Sequence, residues 1–322
     1  MRRMPPGLLS LLLAAGALAA PPPAAWHEPA RYAIEYAVDL APIADAPAGA
    51  WRVWLPSPAE TAAQHVVAVD VDAGSASART SSDAFGNRIV AVDGAGAPPR
   101  RIVLRATVER RPYEGTPRSG HEAGTPLDPA RYLAPNTRIP LADTIRRIAQ
   151  DESHGRATDA DRMRAFYEYV VATMRYDKSG TGWGEGDAVW ACDNRRGNCT
   201  DFHSLLIGMA RSQGIPARFV IGFPVPEGEA GPIPGYHCWA EWWDADRGWI
   251  PLDASEANKS GWWDAYFGTL PNDRVEFTVG RDLVLAPPQA GPPLNYFIHP
   301  YAEVDGHAVA GLIERVRFTR IP

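Results

Sequence analysis

The chain has 322 residues, 45% of them hydrophobic and 22% charged, a balance that suits a folded globular protein with apolar residues enough for one large core or two smaller ones. A net charge of −6 with no basic stripe argues against a nucleic-acid partner, because nothing is there to neutralise phosphates. Three cysteines make no disulfide framework; in an oxidising compartment they leave one unpaired, and the pairing that spares Cys199 joins Cys192 to Cys238.

Arg2-Arg3, the Leu/Ala-rich run from Gly7 to Gly16 and the small residues Ala17-Leu18-Ala19 read in order as the three regions of a secretory signal peptide, residues 1–19. That run is too short to cross a membrane, and no other stretch approaches about 20 apolar residues. The mature protein is expected to be periplasmic or secreted, with no integral membrane segment after signal removal. Tyr32, Ile34, Tyr36, Val38 and Leu40 then alternate, as do Trp51, Val53 and Leu55, then Val67, Val69 and Val71, and Ile102, Leu104, Ala106 and Val108. With Gly, Pro and Ser turns between them, residues 26–115 are expected to form an N-terminal β-sandwich-like domain.

The Pro/Gly-rich stretch 111–140 reads as a linker. Helical spacing follows over 141–150 and 161–174, and the Gly-rich stretch 179–186 reads as a mobile rim. Phe202, Leu205, Leu206, Met209 and Ala210 line one face of a further helix, which Gly214 and Pro216 stop. Asn198 is its natural N-cap, so Cys199 falls in the first turn, where unpaired N–H groups and the helix dipole favour a thiolate. Aromatic-rich strands, 236–243 and 249–253, flank the turn 244–248. If Trp243 pairs with Trp249, Trp239 stands opposite Asp253, and His237 lies two residues along on the same face, within reach of that carboxylate. Strand-like patterning returns over 275–284 and 312–318, with 302–322 as a C-terminal strand extension.

Four blocks carry a resemblance: Gly197-Asn198-Cys199-Thr200-Asp201-Phe202-His203, Gly214-Ile215-Pro216-Ala217-Arg218-Phe219, Gly235-Tyr236-His237-Cys238-Trp239-Ala240-Glu241 and Gly248-Trp249-Ile250-Pro251-Leu252-Asp253-Ala254-Ser255. In order and spacing the chain from about 132 to 301 resembles the bacterial transglutaminase-like proteins, a superfamily that includes cysteine proteases and peptide N-glycanases. The resemblance implies a papain-like α+β domain over 132–301 after the β-domain. It also implies Cys199 as nucleophile, His237 as base and acid, and Asp253 as orienter. The expected activity is amide-bond hydrolysis or acyl transfer through a thioester on Cys199, with a peptide or protein amide as substrate and no cofactor. The alternative is a peptide- or cell-wall-binding module on the same fold without turnover.

Other residues carry less. His203, four residues after Cys199, reads as a structural hydrogen-bonding group and Asp201 as a complement to the helix start. The cysteines and histidines lack the paired short spacing of a zinc site. Glu185 with Asp187, or Glu241 with Asp244, would serve as glycosidase pairs only at a set separation, and surface charge is the better reading. Trp239 and Trp243, on the side of His237, are expected to wall a cleft.

Overall fold

The computed structural model describes residues 23–44, 49–115 and 128–322. The signal-peptide segment 1–19 lies outside these residues. In chain order come β1 (Ala30–Asp39), the single-turn α1 (Ala41–Ala44), β2 (Ala50–Pro56), β3 (Gln64–Asp72), β4 (Ser77–Ser82), β5 (Arg88–Ala95) and β6 (Arg101–Arg110). A mostly helical stretch follows: α2 (Pro129–Leu133), α3 (Asp143–Ser153), α4 (Asp159–Thr173), β7 (Arg175–Tyr176), α5 (Ala188–Asn194), β8 (Arg196–Gly197) and α6 (Cys199–Ser212). The rest comprises β9 (Ala217–Pro224), β10 (Ala230–Ile233), β11 (His237–Asp244), β12 (Gly248–Leu252), α7 (Ala254–Ser260), β13 (Arg274–Val279), β14 (Tyr301–Val304), β15 (His307–Ala308) and β16 (Ile313–Ile321).

Two five-stranded sheets, ordered β10-β16-β1-β6-β3 and β15-β14-β2-β5-β4, form the β-region. The residues that alternate in the sequence, Tyr32 to Val38 on β1, Trp51 to Leu55 on β2 and Ile102 to Val108 on β6, meet in one apolar core. That is the expected sandwich, with three differences. The strand β5 gave no alternating signal because Ile89, Val90, Ala91 and Val92 are all buried. Its second face is covered by Leu283, Leu285 and Phe297, and a strand covered on both faces reads as a continuous apolar run. Second, the sheets are completed by strands from late in the chain: β16 pairs with β1 from Arg31↔Ile321 to Asp39↔Ile313, and β14 pairs with β2. Third, the stretch 111–140 is not all linker. It contains α2, whose Tyr132 is buried with its ring 4.8 Å from that of Trp249, edge to face.

The second sheet type, ordered β12-β11-β9-β13, supports the helical part. Against it lies α6, with α3, α4, α5 and α7 packed around the same helix. Every residue of α6 from Cys199 to Arg211 is buried, so the helix that opens with the cysteine is an axis of the core rather than a surface element. Mixed α+β with three antiparallel sheets and a short parallel pair, β7 with β8, is thus the architecture, and the mixed α+β class is the one expected from the sequence.

Candidate active site

Two reciprocal bonds fix the start of α6. The Asn198 side chain accepts from the Thr200 N–H at 2.9 Å, and the Asp201 carboxylate accepts from the Asn198 N–H at 2.9 Å, a capping box. Asp201 also accepts from the N–H groups of Gly184 at 2.8 Å and Gly186 at 3.0 Å. Arg281 bonds the carbonyls of Glu185 and Gly186, and Arg196 bonds that of Ser179. The Gly-rich rim is therefore hydrogen-bonded to Asp201, Arg281 and Arg196. Gly197 makes the turn into the helix at φ +145°, and a Cβ there would lie 2.2 Å from an Asp201 carboxylate oxygen. Cys199, the first helical residue, is 3% exposed.

The hairpin supplies two more groups. Its register is Trp243↔Trp249 through Ala240↔Leu252, the one counted from the sequence. Continuing one step past β12, Asp253 stands level with Trp239 and serves as N-cap of α7, accepting from the Glu256 N–H at 3.0 Å and the Ser255 hydroxyl at 2.9 Å. Its other oxygen accepts from His237 Nε2 at 2.5 Å, and both groups are buried. That bond leaves the other ring nitrogen of His237, Nδ1, which lies 3.8 Å from a Glu256 carboxylate oxygen, and the ring also interacts with Cys199. Cys199, His237 and Asp253 are thus one connected array.

The electrostatics follow from this packing. Hydrogen bonds from Cys238 and from His237, with the charge of His237, outweigh burial and hold the Cys199 thiol well below its ordinary value. Burial opposes charge on His237, but the charge and hydrogen bond of Asp253, with the Cys199 bond, raise it to about 10. Burial likewise opposes charge on Asp253; the charge of His237, together with His203 and the His237 hydrogen bond, prevails and keeps the carboxyl well below its usual range. Both shifts favour a thiolate beside an imidazolium.

The remaining expected residues fall as follows. His203 is fully buried, accepting from the Ala254 N–H at Nε2, 3.1 Å away; the same nitrogen lies 3.5 Å from Asp253 Oδ1, and Nδ1 lies 3.6 Å from Cys238 Sγ. Cys192, Cys199 and Cys238 are all free thiols, and the neighbour of Cys238 is Cys199, not Cys192. Trp239 does not wall a cleft: it is fully buried, its indole N–H bonded to Glu241, which pairs in turn with Arg218 at 2.7 Å. Trp243 packs edge to face on Trp249 at the turn end of the hairpin, away from His237. Glu185 and Asp187 pair with Arg138 as surface charges. Among the described residues one group could hold a metal ion, His237, Asp253 and Glu256, whose ligand atoms lie within 4.8 Å of one another. Each already has a partner, since His237 bonds Asp253, Lys259 pairs with Glu256, and Arg274 lies 3.9 Å from Asp253.

Sequence reasoning missed Tyr176. Its strand β7 pairs in parallel with β8, Tyr176 against Gly197, which brings the ring beside the Cys199 turn. A two-residue strand carries no period, so nothing local marked it.

Comparison with known proteins bears directly on this array. Residues 146–254, which contain all three groups, match the transglutaminase-like superfamily. An uncharacterized protein of Haemophilus influenzae is 26% identical over 302 residues, covering 80% of this chain and 82% of its own length. A protein-glutamine γ-glutamyltransferase of Pseudomonas aeruginosa is 29% identical over 122 residues, 35% of this chain but 17% of that much longer protein. The structure of a candidate cysteine protease from Cytophaga hutchinsonii superposes with a TM-score of 0.60 over 92% of each chain at 16% identity, a likeness of fold. Residues 146–254 thus match the transglutaminase-like superfamily, and the chain as a whole shares its α+β fold with the Cytophaga hutchinsonii structure.

Proposed function

We propose that the protein is an exported cysteine-dependent enzyme that cleaves or exchanges amide bonds through a thioester on Cys199. The observation that carries this reading is the array itself: a thiol at a capped helix start, an imidazole beside it, and a buried carboxylate 2.5 Å behind that imidazole. The Cys199 thiolate attacks the amide carbon, and the positive end of the α6 dipole lies beside the charge that develops on the carbonyl oxygen. As the tetrahedral intermediate collapses, the proton on His237 Nδ1 passes to the leaving nitrogen and the C–N bond breaks, leaving an acyl group on sulfur. Asp253 holds the ring so that Nδ1 faces the sulfur and stabilises its charged form. His237 then deprotonates the incoming water or amine, which displaces the thiolate.

Water, at about 55 M, is the default acceptor, and an amine prevails only where the site gives it a large orientation advantage. Acyl transfer is nevertheless supported as a second reading by the 3% exposure of Cys199 and the pinned rim, which together limit water at the thioester. Export rests on the basic, apolar and small-residue order of residues 1–19. Among the described residues no helix is long and apolar enough to cross a membrane. The deciding experiment measures product partitioning from one peptide or glutamine-amide donor as a lysine analogue is raised. Acid as the main product up to tens of millimolar amine supports a hydrolase; an amide adduct dominant at low millimolar amine supports a transferase. A Cys199 that forms no acyl adduct with any activated donor sinks both.

A further inference from the structure

His237 faces a second carboxylate that the reaction as written does not use. Glu256 Oε1 lies 3.8 Å from His237 Nδ1, the ring nitrogen that Asp253 leaves over. The same oxygen pairs with the ammonium of Lys259, one turn further along α7. That ammonium stands 4.6 Å from the centre of the Tyr176 ring, and Tyr176 pairs in register with Gly197 at the turn into Cys199. Lys178 approaches the same ring at 5.8 Å. The chain holds 32 lysines and arginines, and its two lysines, Lys178 and Lys259, thus meet at one aromatic ring beside the nucleophile. A carboxylate and a π-face with a protonated primary amine between them make an alkylammonium site. We propose that Glu256 and Tyr176 bind the ammonium group of an amine acceptor, and that Lys259 fills this place as an internal stand-in until the acceptor displaces it.

Access and chemistry agree with this assignment. Cys199, His237 and Asp253 are buried, whereas the side chains of Glu256 and Lys259 are 19% and 38% exposed, so an acceptor reaches them from solvent. An ion pair open to water is held weakly, which lets an incoming ammonium replace Lys259. Once His237 has given its proton to the leaving nitrogen, the ring is neutral. The bound acceptor passes one proton to Nδ1, and the lone pair freed on its nitrogen attacks the thioester carbon. A second proton leaves to solvent as the C–S bond breaks with its electron pair on sulfur. The products are the new amide and a Cys199 thiolate beside the His237 imidazolium, the state that opens the next cycle. Water carries no charge for Glu256 to hold, so the site concentrates an amine near the thioester without helping hydrolysis.

This inference deepens the acyl-transfer reading and rests on a thioester at Cys199, and the test separates the two. The readout is the ratio of amide adduct to acid formed from one activated donor, so that the rate of acylation cancels. The acceptors are n-pentylamine, a cation at pH 7, and methoxyamine, which is neutral there. In Glu256→Gln the ratio for n-pentylamine should fall about 10-fold, while that for methoxyamine stays within about 2-fold. Lys259→Ala, which frees Glu256, should raise the n-pentylamine ratio about 3-fold or more; a damaged fold would not produce that gain. Equal losses for both acceptors in Glu256→Gln would show that Glu256 acts on His237 and not on the acceptor. An unchanged n-pentylamine ratio in either variant likewise overturns the site. So does an acyl-enzyme that yields acid alone, in the wild type and in Lys259→Ala, with n-pentylamine raised to tens of millimolar; that outcome leaves the hydrolase reading intact. A Cys199 that accepts no acyl group overturns both.

Discussion

Replacing Asp253 by Asn removes one charge at nearly constant shape. The side chain still accepts from the Glu256 N–H, so the cap of α7 survives, and Arg274 keeps Asp273 at 2.6 Å. What is lost is the charge behind His237, whose imidazolium is raised from 6.5 to about 10 against burial, chiefly by the Asp253 charge and hydrogen bond. An adjacent opposite charge accounts for about 1–3 units of such a shift, so the alkaline limit of the thiolate–imidazolium pair should fall by about 2 units. At pH 7 the ring is still protonated in that case. Turnover should nonetheless drop by about 10³-fold, because the amide no longer enforces the tautomer and orientation that put Nδ1 on the sulfur. The assay is the pH–rate profile of amide cleavage, repeated with iodoacetamide alkylation as a substrate-independent check. The raised value of His237 also contributes stability that is complete below about pH 6.5 and is lost as pH climbs through about 10. Asp253, held low, contributes stability that is present above the ordinary carboxylate range and is lost as pH falls. Urea titrations of the wild type should therefore weaken at both extremes, and in Asp253→Asn both trends should be blunted. An unmoved alkaline limit with full activity would show that another residue orients His237.

Brief iodoacetamide treatment near neutral pH should label Cys199 and spare Cys192 and Cys238, whose thiols burial pushes up; peptide mapping that finds label chiefly at either of those contradicts the assignment. Cys199→Ala should abolish turnover and His237→Ala nearly so, and the double variant should be no worse than Cys199→Ala alone, because the two act as one proton-transfer unit. Gly197→Ala should cost about 2 kcal/mol in urea titration and slow Cys199 labelling, since the new Cβ meets Asp201 at 2.2 Å on a backbone at φ +145°. Arg218→Ala removes the cation paired with the buried Glu241 carboxylate, which keeps the Trp239 N–H, and should cost about 3 kcal/mol; a loss under about 1 kcal/mol would show that the pair is not the buttress of β9 and β11.

Local order decided much of this protein. The step from Asn198 into α6 depends on a capping residue and a helical period a few positions apart, and the hairpin register depends on a short turn, so both were legible in the sequence together with the array that they build. The alternation on β1, β2 and β6 was legible for the same reason, whereas on β3 it fails at Val67, which a bulge between Val66 and Ala68 leaves exposed. Other features depend on contacts between distant parts of the chain. Alternation tells which residues share a face but not what covers it, so Trp239, on the correct side of β11, turned out to be core bonded to Glu241 rather than cleft wall. Nothing within 313–321 names β1 as its partner, because strand pairing is made by backbone groups that every residue has. The contact of Cys238 with Cys199 and the anchoring of the glycine rim by Asp201 likewise arise only when α6 is laid against β11 and the rim is closed over its end. The sequence could place a thiol, an imidazole and a carboxylate on the right elements; the packing of one buried helix against one sheet decided which other groups surround the sulfur.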